Sequence, residues 1–120
     1  MGHEEKALLN QVSSYIQSYG GSRFPTINAQ PEDLAKVATR AGFTRTESGE
    51  VQYLIESGAF KNELCKGTDI KFATKILIEH GWLIHGGDQR PTQKPRIPAL
   101  GKAVRVYVIN SKSIEGELHG

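Results

Sequence analysis

Apolar residues recur at helical spacing through the first stretch of the chain, and this pattern predicts an α-helix over 4–19. We expect the helix to end at Gly20-Gly21, because glycine readily takes the left-handed conformation that closes helices. The apolar face consists of Leu8, Val12, Tyr15, Ile16 and Tyr19.

The next segments predict a short strand, a helix and a hairpin. The strand would cover 23–27 and the helix 31–41, because proline suits a first helical turn and Gly42 follows as a stop. An extended path over 31–41 is the alternative, because this segment also contains β-branched residues. Two apolar stretches, 43–46 and 51–56, flank a polar turn that contains glycine, which is typical of a β-hairpin. Alternation predicts that Val51, Tyr53 and Ile55 form its apolar face.

The middle of the chain predicts two helices joined by a tight break. The short helix covers 58–65, and the longer one covers 70–80 between the capping residue Asp69 and Gly81. Two stripes share the longer helix. The apolar stripe contains Ala73, Ile76, Leu77 and His80, and the polar stripe contains Lys71, Thr74, Lys75 and Ile78.

Two strands, 82–85 and 104–109, are predicted on either side of a loop rich in proline, glycine and basic residues. Repeated prolines exclude a helix from this loop and leave room only for short strand pieces near Arg96-Ile97. Residues 111–118 are predicted as either a fraying helix or a disordered tail.

This element order predicts an α+β fold, namely a winged helix-turn-helix-like domain with an N-terminal helix and a small antiparallel sheet. The winged-helix part would span 50–110, with 111–120 as a tail. One buried cluster is expected, made of Leu8, Val12, Ile16, Tyr53, Ile55, Phe60, Leu64, Ala73, Ile76, Leu77, Trp82, Val106 and Val108.

Length and composition agree with one domain over 1–120, with residues 1–3 set aside as a candidate tag remnant. The chain has 120 residues and 13.2 kDa, and its apolar runs are far shorter than the ~18 residues of a membrane span. An acidic start where a secretion signal would be basic and then apolar favours a cytoplasmic protein. The single cysteine excludes an internal disulfide and a thiol-rich metal site.

The net charge of +2 hides an uneven distribution. Residues 1–57 hold five basic and seven acidic groups, whereas 58–112 hold ten basic and four acidic groups. Such asymmetry is typical of a module that docks on phosphate or on another acidic surface. A solvated surface with chance clustering is the alternative.

The basic residues of the second half are the candidate nucleic-acid contacts. In a winged helix, the longer helix enters the major groove and the loop between the last two strands is the wing. The candidates on the helix are Lys71, Thr74 and Lys75, and those on or near the wing are Arg90, Lys94, Arg96 and Lys102.

Catalytic and metal chemistry have little support in the sequence. A reactive Cys65 would need a base, and His80 or His85 could supply one, but a buried structural cysteine is far commoner. Without a second cysteine or a carboxylate cluster, no zinc site is expected, and no cofactor is predicted. We expect Phe72, Trp82 and Tyr107 to be core residues rather than base-stacking platforms.

Several segments together resemble a known family. They are Arg40-Ala41-Gly42-Phe43, Gln52-Tyr53-Leu54-Ile55, Phe60 to Gly67, Glu79-His80-Gly81-Trp82-Leu83, Pro95 to Gly101 and Arg105-Val106-Tyr107-Val108. The series resembles the C-terminal region of the domain-of-unknown-function 927 family, which comprises helicase- or primase-like proteins of bacterial phages, plasmids and integrative elements. The resemblance covers residues 5–110 and implies an appendage to an ATP-driven motor that acts in DNA replication or mobilisation.

No phosphate loop of the form Gly-x-x-x-x-Gly-Lys-Ser/Thr occurs in this sequence, so the chain itself is not expected to be an ATPase or another enzyme. The leading hypothesis is a non-catalytic nucleic-acid-binding or substrate-guiding domain whose partner is single- or double-stranded DNA. The alternative is a protein-docking module that meets the motor domain of its own parent chain or a replication partner.

Overall fold

The computed structural model describes residues 2–119, and the side chains within 2–115. Its helices are α1 (His3–Tyr19), α2 (Pro31–Ala35), α3 (Ser57–Ala59), α4 (Ile70–Glu79) and α5 (Ser111–His119). Its strands are β1 (Gly42–Glu47), β2 (Glu50–Glu56), β3 (Leu83–Ile84), β4 (Arg96–Ile97), β5 (Lys102–Ala103) and β6 (Val106–Asn110). A π-helical turn, Phe60–Leu64, continues α3.

Four strands form one antiparallel sheet in the order β1-β2-β6-β3, and β4 pairs with β5 in a separate two-stranded hairpin. Strand β6 therefore lies between β2 and β3, although it follows both in the chain. The fold is a mixed α+β domain with a helical layer and a small antiparallel sheet, as the sequence predicted.

Both faces of the sheet are covered, and the alternation along β6 shows this directly. Tyr107 and Ile109 belong to the buried cluster that contains the helices, whereas Val106 and Val108 belong to a second cluster. Successive side chains of a strand point to opposite faces, so the two clusters lie on opposite faces of the sheet.

The first face packs against α1, the π-helical turn and α4. Leu8, Val12, Leu64 and Leu77 meet there, all nearly or fully excluded from solvent. Leu77 lies at the centre of α4's buried stripe, which confirms the predicted apolar face of that helix.

The second face is covered mainly by the β4–β5 hairpin and neighbouring loops, with Leu34 of the short helix α2 also packed against it. Phe43 and Leu54 project from β1 and β2 into a cluster that includes Ile97 from the β4–β5 hairpin, and all three are fully buried. The predicted single cluster was therefore wrong, since Val106 and Val108 face away from the helices. Val51 was also misassigned, because it is 40% exposed.

The predicted helix over 31–41 was wrong beyond its first turn, since α2 ends at Ala35. The C-terminal end of the following segment is held by hydrogen bonds that a helix would break. Ala41 donates its backbone N–H to the Arg23 carbonyl and accepts from the Glu56 N–H. These bonds hold Ala41 in an extended path beside the sheet, and α2 itself buries no residue.

Helix α1 ends where predicted, but without the left-handed glycine that the sequence predicted. Gly20 is right-handed, with φ at −58°, so a left-handed cap does not close the helix. A Cβ at Gly20 would lie 2.5 Å from the Ile16 carbonyl oxygen and 2.9 Å from the Tyr53 hydroxyl, so the close approach to the preceding helical turn and to β2 favours glycine here. The predicted strand over 23–27 is reduced to a single parallel bridge between Thr26 and Thr44.

The remaining elements follow the sequence closely. The β1–β2 hairpin turns at Ser48-Gly49, both with positive φ, as a two-residue turn of type I′ requires. Gly67 and Gly81 are also left-handed, at the two ends predicted for the segment that holds α4. Of the two predictions for the C-terminus, the helix is the one observed, and Ile114 anchors it in the core. At the other end of the chain, α1 begins at His3, so one of the three residues set aside as a candidate tag remnant belongs to this helix.

Candidate nucleic-acid interface

Helix α4 presents two of the predicted cations to solvent. Asp69 accepts the backbone N–H of Phe72 at 3.0 Å and so starts the helix. Lys71 and Lys75 lie one turn apart and are both exposed, on the side of α4 that does not face Leu77. They can reach a phosphate or a base edge without losing any packing.

The prediction that Thr74 lies on the exposed polar face of α4 was wrong. Its side chain is buried, and its hydroxyl lies within hydrogen-bonding distance of the Ile70 and Lys71 carbonyls at 3.0 and 3.2 Å. The hydroxyl hydrogen is therefore used within the helix. The buried face of α4 is wider than its apolar stripe, and Thr74 falls on its margin.

The β4–β5 hairpin holds two further cations, Arg96 and Lys102, both exposed. Ile97 anchors the hairpin on the second face of the sheet. Because α4 packs on the first face, these two cations and the α4 lysines belong to opposite sides of the sheet. The seven predicted residues therefore do not form one continuous patch.

Arg90 and Lys94 are brought together with a third cation, Arg105, around a pocket of about 570 Å³. We call it the basic pocket. It lies where β3 has ended and β6 begins, and its other charged residue is Asp88; the lining also includes Gly86, Gly87, Thr92, Gln93 and Pro95. Sequence reasoning missed Arg105, because only the pairing of Gln93 with Val106 brings it beside Arg90 and Lys94.

Hydrogen bonds fix the position of Gln93, one of the residues that line the basic pocket. The backbones of Gln93 and Val106 exchange two bonds, at 2.9 and 2.8 Å, and the Gln93 amide donates to the Ile84 carbonyl at 3.0 Å. Two other lining residues are also bonded to each other, since the Arg105 guanidinium donates to the Thr92 hydroxyl at 3.0 Å. A proline-rich loop is thus tied to both strands that flank it.

Ion pairs neutralise the arginines of the N-terminal half but not the basic residues between 61 and 105 whose side chains are described, so the unpaired positive charge lies mainly in the second half. The arginines of the N-terminal half each lie beside a carboxylate; the pairs are Arg23–Glu63 at 2.7 Å, Arg40–Glu56 at 3.1 Å and Arg45–Glu47 at 3.8 Å. By contrast, within the described side chains, no lysine or arginine from residue 61 to residue 105 forms an ion pair. These unpaired cations are Lys61, Lys66, Lys71, Lys75, Arg90, Lys94, Arg96, Lys102 and Arg105.

The carboxylates that could neutralise this set are few and partly engaged. Glu63 is taken by Arg23 from the other half of the chain, and Asp69 caps α4. The result is an unpaired positive surface, which attracts polyanions over a Debye length of about 8–10 Å at physiological salt.

Trp82, Tyr107 and Cys65 lie inside the protein, whereas Phe72 is only partly buried. The Tyr107 ring stacks on Phe60 with centroids 3.7 Å apart. Burial raises the pKa of the Cys65 thiol to about 12, so it stays protonated at neutral pH. His80 lies 2.8 Å from the Glu5 carboxylate, and this hydrogen bond holds the pKa of Glu5 below its usual value.

Replacing Cys65 by serine is expected to lower the free energy of unfolding, because a hydroxyl in this fully buried site costs about 1–3 kcal/mol if unpaired. Any affinity for DNA that the domain shows below the melting temperature should not change, since the buried Cys65 cannot reach a ligand. Thermal melts and anisotropy titrations on the same sample would check both. Loss of binding with an unchanged melting temperature would instead indicate a functional thiol.

Comparisons with protein-family models, curated proteins and solved structures gave no match to this chain. Over the described residues, no helix combines the length and apolar character needed to cross a membrane.

Proposed function

We propose that this chain is a non-catalytic nucleic-acid-binding domain of the winged helix-turn-helix type, acting in the cytoplasm. The proposal rests mainly on the lysines and arginines between residues 61 and 105, which form no ion pairs within the described side chains. The arginines of the N-terminal half, by contrast, each form an ion pair with a carboxylate. Unpaired basic groups on a folded surface are what phosphate contacts require.

The element order supports the winged-helix assignment. Helix α1, strand β2, the α3–π helix, helix α4, strand β3, a long loop and strand β6 follow one another, and β6 pairs between β2 and β3. In such a domain, α4 would be the recognition helix and the loop 85–105 the wing. One departure is that this loop covers the second sheet face through Ile97, so its cations are held close to the sheet.

The resemblance to the domain-of-unknown-function 927 family suggests the setting. The domain would guide DNA for a helicase- or primase-like motor of a mobile genetic element, with the motor elsewhere in the parent protein. Protein docking to that motor or to a replication partner is the competing function, and the binding test below separates the two.

Binding to DNA should weaken steeply with salt, because each phosphate contact releases condensed counterions. For four to six contacts on duplex DNA, the slope of log affinity against log salt is expected to be about −4 to −5. The Arg90→Ala/Lys94→Ala variant should flatten this slope by about 2. Fluorescence anisotropy across a salt series measures both slopes.

A Lys6→Ala/Lys36→Ala variant is the matched control, since it removes the same charge from exposed sites outside the basic half. Its slope should equal that of the unmodified protein. An unchanged slope in the Arg90/Lys94 variant would remove the loop from the interface and leave α4 as the candidate, which a Lys71→Ala/Lys75→Ala variant then tests. No affinity for any nucleic acid at low salt would contradict the proposal and favour protein docking.

A further inference from the structure

We propose that the basic pocket binds the terminal phosphate of a nucleic-acid strand, a phosphomonoester, in preference to phosphodiesters within the strand. This inference rests on the proposed function and specifies which part of the nucleic acid the loop contacts. The domain would then recognise the phosphorylated end of a nucleic-acid strand.

The shape of the site is the first argument. An internal phosphate carries a sugar on each side and runs along a surface or groove. A terminal phosphate projects from the strand and can enter a concavity. The basic pocket is an open depression of about 570 Å³, lined by eight residues between 86 and 95 and by Arg105. Its volume lies within the size range of ligand sites and leaves room for a phosphate with its sugar.

Charge is the second argument. Arg90, Lys94 and Arg105 face the same pocket, against the single carboxylate of Asp88, which leaves a net charge of +2. A phosphomonoester carries about −1.5 to −2 at neutral pH, whereas each internal phosphodiester carries −1. The monoester therefore matches the pocket and gains more from it.

Orientation is the third argument. Bonding to Thr92 fixes the Arg105 guanidinium through Nη1 and leaves its other N–H groups as donors in a planar fork. Such a fork matches two oxygens of one phosphate. Because Arg105 directly precedes β6 and Gln93 is bonded to both flanking strands, the pocket is formed before any ligand arrives.

Asp88 limits how tightly the pocket can hold an anion. It lies in a turn where Asp88 and Gln89 both have positive φ, at 58° and 59°, and asparagine tolerates this conformation as well as aspartate does. Asp88→Asn therefore removes the opposing charge and keeps the turn. It should tighten binding of a phosphorylated end, a change opposite in sign to that of any cation variant.

The test compares one short single-stranded DNA in three forms, with a 5′-phosphate, a 3′-phosphate or hydroxyls at both ends. At about pH 7.5, at least one phosphorylated form should bind roughly tenfold more tightly than the hydroxyl form, the effect of one or two charge-assisted hydrogen bonds. At about pH 5, below the second phosphate pKa of about 6, the ratio should shrink. Anisotropy competition measures these ratios directly.

Variants assign the preference to the pocket. Arg105→Ala should bring the ratio close to one, and Thr92→Val should reduce it through the orientation of Arg105. Lys71→Ala should weaken all three oligonucleotides equally, and Lys36→Ala should change neither affinity nor ratio. Thermal melts confirm that each variant is folded.

Equal affinity for the phosphorylated and hydroxyl forms would overturn this inference and leave the proposed function standing. Failure of every oligonucleotide to bind would overturn the proposed function itself. If a free nucleoside monophosphate binds as tightly as the phosphorylated strand, the pocket recognises a small phosphomonoester, and the assignment to a strand end is wrong.

Discussion

Truncation of Leu77 to alanine is expected to lower the free energy of unfolding by about 2–5 kcal/mol, the range measured for buried leucines. Leu77 is fully buried on the first face of the sheet, where α4 meets the rest of the helical layer. The loss combines the transfer energy of the removed methyl groups with the cavity they leave. Urea denaturation of both proteins, followed by circular dichroism, measures the difference.

Leu77→Met is the matched control, because it nearly conserves volume and should cost less than about 1.5 kcal/mol. A change below about 0.5 kcal/mol for the alanine variant, the range of surface substitutions, would contradict the placement of α4.

The second large effect is expected on the other face of the sheet. Ile97→Ala should also lower the free energy of unfolding by about 2–5 kcal/mol, although Ile97 lies in a short hairpin inside a proline-rich loop. The reason is that Ile97 is fully buried against Phe43 and Leu54. The same denaturation experiment checks this value.

Ile97→Val serves as the graded comparison, with an expected loss of about 0.5–1.5 kcal/mol. An alanine variant as stable as the unmodified protein would mean that the loop does not pack on the sheet. The basic pocket would then lose its rigid support.

The sequence predicts the positions of the helices and strands better than it predicts which segments pack on each face of the sheet. Helical spacing locates α1 and α4, and the cap Asp69 with the left-handed Gly67 and Gly81 marks the borders of α4. The spacing of apolar residues does not show what packs against the second face of the sheet. Val106 and Val108 look like any buried apolar pair, and only tertiary structure shows that the β4–β5 hairpin and neighbouring segments, and not α1 or α4, pack against them.

The same limit applies to the candidate site. Exposure of Arg90, Lys94, Arg96 and Lys102 follows from the proline and glycine around them, because such a loop cannot bury long cationic chains. Thr74 was misjudged because periodicity gives the direction of a helical face but not its width. Arg105 was missed because it reaches the basic pocket only through the pairing of Gln93 with Val106.

The position of β6 has a consequence for how the chain folds. In the described sheet, β6 joins β2 to β3, so neither the helical face nor the loop face has a complete surface to pack on before it arrives. Its partner Tyr53 pairs with Ile109 across more than fifty residues, and contacts this distant in sequence slow folding. During synthesis, the ribosome must therefore release nearly the entire domain before the cooperative core can assemble. Until then only local pieces, such as the β1–β2 hairpin, have their partners available.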